Sequence, residues 1–76
     1  MSNIGQSLKA HREKANLSQG ELSRKTGIVQ TNLSRWESNT HVPNIADCVT
    51  LARFYKISVD ELIGYTLEDS DDAPTV

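Results

Sequence analysis

Cysteine, aromatic residues and long apolar runs are scarce in this sequence of 76 residues, and their scarcity excludes several classes of protein. The single cysteine, Cys48, excludes an intramolecular disulfide, although an intermolecular one stays possible. Because no apolar run is long enough for a signal peptide or a membrane span, we expect a soluble, cytoplasmic protein without a membrane partner. The length suffices for one small domain with a barely sufficient core and leaves no room for a large enzyme cleft.

The charges are distributed unevenly along the chain. A net charge of −2 argues at first against a nucleic-acid partner. Over residues 1–65, however, eight Lys and Arg stand against six Asp and Glu, a balance of +2, and the other four acids all follow. We therefore expect a mildly basic domain over residues 1–65 and a flexible acidic tail over residues 66–76.

Helical spacing dominates the pattern of apolar residues. No strand-like alternation of useful length appears, so the predicted class is all-α, a compact domain of five helices. The first helix is predicted from Asn3 to about Ala15, and the third from within a residue or two of Gly27 to about Ser38. The other boundaries follow from caps at Ser18 with Glu21, at Asn44 and at Ser58 with Glu61, and from left-handed turns at Gly27, Asn39 and Gly64.

A tight glycine turn joins the second and third predicted helices. Ser23 has to be small where the two helices cross, and Gly27 has to accept a positive φ. In the third helix Val29, Leu33 and Trp36 recur at spacings of four and three, which predicts one core-facing side. Leu33 and Trp36 are the expected anchors of the third helix on the core.

Four hydrogen-bonding side chains occupy the other face of the third helix: Gln30, Thr31, Ser34 and Arg35. By composition alone, an ordinary solvated helix face is the better interpretation of this set. The anchored inner face favours a different one, because it brings all four onto a convex ridge of the shape that enters a DNA major groove.

The stretch LSQGELSRKTGIVQTNLSRWE resembles the lambda-repressor-like helix-turn-helix family of phage repressors, Cro proteins and bacterial regulators. Pro43, six places after Glu37, and the closing pattern ISVDELIG fall in the same register, so the resemblance covers Ile4 to Gly64. It implies a DNA-binding transcriptional regulator, a repressor, that needs no cofactor. It also implies a homodimer that places its third helix in the major groove of double-stranded DNA at a nearly palindromic operator.

The resemblance assigns base contacts to Gln30, Thr31, Ser34 and Arg35, and their chemistry fits, since Arg35 can pair with guanine and Gln30 with adenine. It implies a salt bridge between Arg12 and Glu37. It implies phosphate contacts, in the loop mostly through backbone amides, by Ser18, Gln19, Arg12, Thr40, His41 and Asn44. The loop SNTHVPN lacks the Lys or Arg common in the family, so we expect weak phosphate binding there, with Lys9, Arg12, Arg24 and Lys25 as the remaining cations.

Val59, Ile63 and Tyr65 offer more apolar surface than residues 1–65 can bury, so we expect the dimer interface at the fifth helix. The alternative function is that of an antitoxin or adaptor that keeps the same fold mainly to bind a regulatory partner protein. Catalysis has little support, because no Gly-x-Ser-x-Gly elbow occurs. A zinc site is also disfavoured, because His41 and Cys48 lack further ligands nearby.

Overall fold

The described part of the computed structural model, residues 3–64, consists of short helices joined by tight turns. The helices are α1 (Ile4–Lys14), α2 (Gln19–Thr26), α3 (Gln30–Glu37), α4 (Ile45–Tyr55) and α5 (Val59–Ile63), with no strand in this range. The predicted all-α class and the order of the helices are confirmed. The predicted domain end at residue 65 and the predicted acidic tail lie outside the described residues.

Side-chain caps begin four of the five helices in this range. Ser18 and Glu21 form the predicted capping box, in which Ser18 Oγ accepts from the Glu21 N–H at 3.0 Å and Glu21 Oε1 accepts from the Ser18 N–H at 2.8 Å. Each such cap satisfies helix N–H groups that would otherwise lack a partner. The remaining side-chain caps are Asn3 on α1, Asn44 on α4 and Ser58 on α5, whereas Val29 begins α3 without a side-chain hydrogen bond.

The turn between α2 and α3 is longer than predicted. Gly27 has the expected positive φ of 81°, but α3 begins at Gln30, three residues later. Two hydroxyl groups hold the intervening residues: Ser23 Oγ donates to the Ile28 carbonyl at 2.6 Å, and Thr26 Oγ1 accepts from the Ile28 N–H at 3.2 Å. Ser23 therefore contributes a hydrogen bond to the turn, in addition to being small.

The core lies where the five helices meet, and each helix contributes at least one buried side chain to it. Its buried residues are Leu8, Leu22, Ile28, Leu33, Trp36, Cys48, Leu51, Ala52 and Leu62. The predicted core position of Val29 is wrong, because its side chain is 60% exposed, whereas Ile28 is 7% exposed. Val29 has extended backbone angles, φ −61° and ψ 132°, so helical spacing does not apply to it.

Gly5 permits a close approach of α1 to the end of α3. A Cβ added at Gly5 would lie 2.5 Å from the Trp36 carbonyl oxygen and 2.7 Å from that of Glu37. The Gly5 N–H also donates to Asn39 Oδ1 at 3.1 Å, and Asn39 Nδ2 donates to Asn3 Oδ1 at 2.9 Å. The beginning of α1 is thereby fixed against the residues that follow α3.

Gly5→Ala should lower the free energy of unfolding by about 1–3 kcal/mol, because the added methyl group overlaps two backbone carbonyls that cannot easily move. Gly20→Ala is the matched control, since a Cβ at Gly20 would lie no closer than 3.5 Å to any atom outside the neighbouring backbone of its own helix. Alanine also favours helix, so this control should be at least as stable as the wild type. Urea unfolding followed by circular dichroism measures both, and equal stability of the two variants would contradict the close approach.

Candidate nucleic-acid interface

The four polar residues predicted to face outward on α3 do share one face. Gln30, Thr31, Ser34 and Arg35 are all exposed, and at 3.6 residues per turn they fall within an arc of about 140°. Leu33 and Trp36 are buried on the opposite side. The anchors thus hold α3 so that the four hydrogen-bonding side chains meet solvent together.

The first turn of α2 lies beside this face. A Cβ added at Gly20 would be 3.5 Å from Gln30 Oε1, 3.8 Å from Arg24 Nη1 and 3.9 Å from Ser18 Oγ. These three side chains therefore converge around a glycine that leaves the backbone uncovered. Together with the exposed residues of α3 they form one surface, which we call the α3 surface. Its members are Ser18, Arg24, Val29, Gln30, Thr31, Ser34 and Arg35. In the sequence Arg24 is only one of several cations, because nothing local to it shows which helix end its side chain approaches.

An ion pair connects α1 to the end of α3, as the resemblance implied. Arg12 Nε donates to Glu37 Oε2 at 2.7 Å and Arg12 Nη2 donates to Glu37 Oε1 at 2.9 Å, a two-pronged geometry. The two side chains are 12% and 8% exposed. Arg12 Nη1 also donates to the Leu17 carbonyl at 2.8 Å. The guanidinium group therefore joins α1, the α1–α2 loop and α3.

Gln19 extends this network to α2. Its Nε2 donates to Glu37 Oε1 at 3.0 Å, so one N–H of the amide predicted to bind phosphate is used within the protein. Burial would raise the pKa of Glu37, but the hydrogen bonds from Arg12 and Gln19 and the Arg12 charge outweigh burial and lower it. The same contact raises the pKa of Arg12. Both groups are thus held in their charged forms.

Glu37→Gln should lower the free energy of unfolding at neutral pH by about 3 kcal/mol, because Arg12 then loses its anionic partner in a partly buried site. The pKa of Glu37 is lowered in the folded protein. The stability that the charged Glu37 contributes is therefore fully present above the pKa that Glu37 has in the unfolded chain. That stability is lost as the pH falls through the folded pKa.

The difference between wild type and Glu37→Gln should therefore shrink in urea unfolding as the pH falls from 7 through the folded pKa of Glu37, where the carboxylate becomes protonated. Glu13→Gln, at an exposed glutamate of α1, is the control and should stay within about 0.5 kcal/mol of wild type. If the difference in unfolding free energy between wild type and Glu37→Gln did not depend on pH, Glu37 would not stabilise the protein through its charge.

The loop after α3 is held by hydrogen bonds within the protein. The N–H groups of Thr40 and His41 donate to the Arg35 carbonyl at 2.9 and 3.2 Å, and Ser38 Oγ donates to the same carbonyl at 3.1 Å. The predicted phosphate contacts through these two amides are therefore not available in this conformation, because the end of α3 uses them. Asn44 is exposed, and its side chain caps α4 by accepting from the Asp47 N–H at 2.8 Å.

Two of the three residues predicted for dimerisation lie in the described range, and both are only partly buried. Val59 and Ile63 pack against the core, and Tyr65 lies outside the described residues. Apolar side chains are most exposed elsewhere within residues 3–64. They are Val29 on the α3 surface, Val42 before α4, and Ile45, Val49 and Phe54 on α4.

Residues 3–64 offer little support for a metal site, an enzyme cleft or a membrane-spanning helix. No group of three or more His, Cys, Asp or Glu in residues 3–64 is placed to hold a metal ion. A shallow groove of about 270 Å³ lies between α1 and α5, lined by His11, Lys14, Ala15, Tyr55, Ile57 and Glu61. The Cys48 thiol is buried, which with the nearby Asp47 charge raises its pKa. Within the same range, no helix has the length and apolarity needed to cross a bilayer.

The bundle, its glycine turn and the outward face of α3 together define a helix-turn-helix domain. A sequence model of the helix-turn-helix family matches residues 8–62. The chain belongs to this family, in its lambda-repressor-like branch.

Three relatives show how far the likeness extends. The HTH-type transcriptional regulator ImmR of Bacillus subtilis (strain 168) is 34% identical over 61 residues, 80% of this chain and 48% of that protein. The P22 c2 repressor in complex with a synthetic operator has a TM-score of 0.75 and 25% identity, covering 83% of this chain and 96% of that one. SinR in complex with DNA has a TM-score of 0.73 and 32% identity, covering 78% and 95%. The chain thus spans about half the length of ImmR.

Proposed function

We propose that this protein is a sequence-specific DNA-binding transcriptional regulator, a repressor, that inserts α3 into the major groove. The observation that carries the proposal is the exposed face of α3 opposite the buried Leu33 and Trp36. Two of its structural relatives, the P22 c2 repressor and SinR, were solved bound to DNA. A fixed ridge of hydrogen-bonding side chains is what direct reading of base edges requires.

Each residue of the exposed face has a proposed role in reading bases. Arg35 donates two hydrogen bonds to O6 and N7 of guanine, and Gln30 pairs with N6 and N7 of adenine. Thr31 offers its methyl group to thymine, and Ser34 can donate or accept. Arg35 and Gln30 carry most of the specificity, because only they can make two hydrogen bonds to one base.

The proposed phosphate contacts come from the edges of the α3 surface. Ser18 and Gln19 begin α2, whose positive dipole end favours an anion. Arg24 lies in the last turn of α2, but its Nη1 reaches to 3.8 Å from a Cβ built at Gly20. His41 and Asn44 would contact a second phosphate through their side chains, whereas the Thr40 hydroxyl would first have to leave Ser38 Oγ, to which it donates at 2.9 Å. Arg12 uses three of its five N–H groups within the protein, so two remain for a phosphate at the edge of the groove. Few cations take part, so the salt dependence of binding should be shallow.

A homodimer would let two copies read a nearly palindromic site, with half-sites about 34 Å apart, one turn of DNA. The proposed interface remains at Val59, Ile63 and Tyr65 of α5 and the following segment.

Selection of bound fragments from a random DNA pool tests this function. Enrichment of a site with two related halves is expected, and Arg35→Ala should weaken binding to it by about 1–3 kcal/mol while relaxing the preference at one base pair. Arg53→Ala is the matched control, because it removes the same charge from an exposed position on α4, outside the α3 surface.

Equal losses for Arg35→Ala on selected and random DNA would overturn the base-reading role of Arg35. Absence of any DNA complex at low salt would overturn the function itself and favour a protein-binding antitoxin or adaptor.

A further inference from the structure

Val29 departs from the capping rule that the other helix starts of the described chain follow, and it is also exposed. The other helix starts within residues 3–64 have an Asn or Ser whose side chain caps the first turn, whereas Val29 provides no cap to α3. Replacing a capping side chain by an apolar one costs stability. In addition, Val29 is 60% exposed, so it does not gain stability from burial in the core. A residue that is unfavourable in both respects is expected where function requires it.

Val29 lies at the end of α3 that the proposed function directs into the DNA. It directly precedes Gln30, whose amide oxygen lies near the Gly20 backbone at the start of α2. The side chains nearest in sequence on the α3 surface, Gln30 and Thr31, are polar and exposed. An isolated apolar side chain on such a surface has one apolar group to meet in the major groove, the C5 methyl of thymine.

We infer that Val29 is a specificity residue that recognises a thymine methyl group next to the base read by Gln30. This inference rests on the proposed function, since it assigns one further base contact to the same helix. The contact needs no hydrogen bond: both apolar groups leave water on binding, and cytosine at that position offers no methyl group. The lost cap is then the cost in stability of a base contact.

The test uses DNA in which single thymines of the selected site are replaced by deoxyuridine, which removes the methyl group and leaves the hydrogen-bonding edge unchanged. Affinities of wild type and Val29→Ala for both DNAs form a double-mutant cycle. One replacement per half-site should weaken wild-type binding about three- to tenfold. The same replacement should weaken Val29→Ala by less than about twofold, because its methyl partner is already absent.

Thr31→Ser is the matched control, because it removes one methyl group from the neighbouring position of the α3 surface. It should couple to a different thymine or to none. Val29→Ser provides a second measurement: it should raise the melting temperature by restoring a cap and still weaken binding to the thymine-containing site. A lower melting temperature for Val29→Ser would show that Val29 has a structural role and would overturn the inference.

The remaining outcomes separate this inference from the function on which it rests. Specific binding in which every deoxyuridine weakens wild type and Val29→Ala equally would overturn the role of Val29 and leave the proposed function intact. A selected site without thymine beside the Gln30 contact would do the same. Absence of any sequence-specific complex would overturn both.

Discussion

The placement of α3 depends on the ion pair between Arg12 and Glu37. With eight residues and no side-chain cap, α3 is too short to be stable alone in water. Leu33 and Trp36 bury its inner face, but apolar packing alone is not directional. The paired hydrogen bonds to Glu37 add direction, because a planar guanidinium group fits a carboxylate in few orientations. Gln19 fixes the same carboxylate to α2, so three helices share one charged group.

This constraint explains how a small, acidic protein can present a surface suited to DNA. Charge alone would not, since the net charge is −2. The exposed face of α3 instead offers hydrogen-bond donors and acceptors in a fixed arrangement, and its position is set from beneath by α1 and α2. A rigid surface loses little conformational entropy on binding. This small entropic cost offsets the binding free energy that is missing because few cations contact phosphates. Such a protein should depend on base contacts more than on phosphate contacts for its affinity.

Much of the fold is readable from the sequence because its signals are local. A cap such as Ser58 and the hydroxyl groups near the glycine turn act within a few residues. Contacts between distant segments leave no such signal: nothing near Asn39 shows that it bonds to α1, and nothing near Gln19 shows that it reaches Glu37. The partner of Arg12 was available only through family resemblance. The predicted burial of Val29 is wrong because helical spacing applies only to residues inside the helix, and Val29 precedes it.

The most direct test of this arrangement is an NMR titration of the ¹⁵N-labelled protein with a selected duplex and with a random one. If the exposed face of α3 reads DNA, the amide shifts that distinguish the two duplexes should lie in α3 and the first turn of α2. The amides of the groove around His11 should change little. Shift changes centred on Ile45 and Val49 of α4, with α3 unaffected, would contradict the placement of the binding surface on α3.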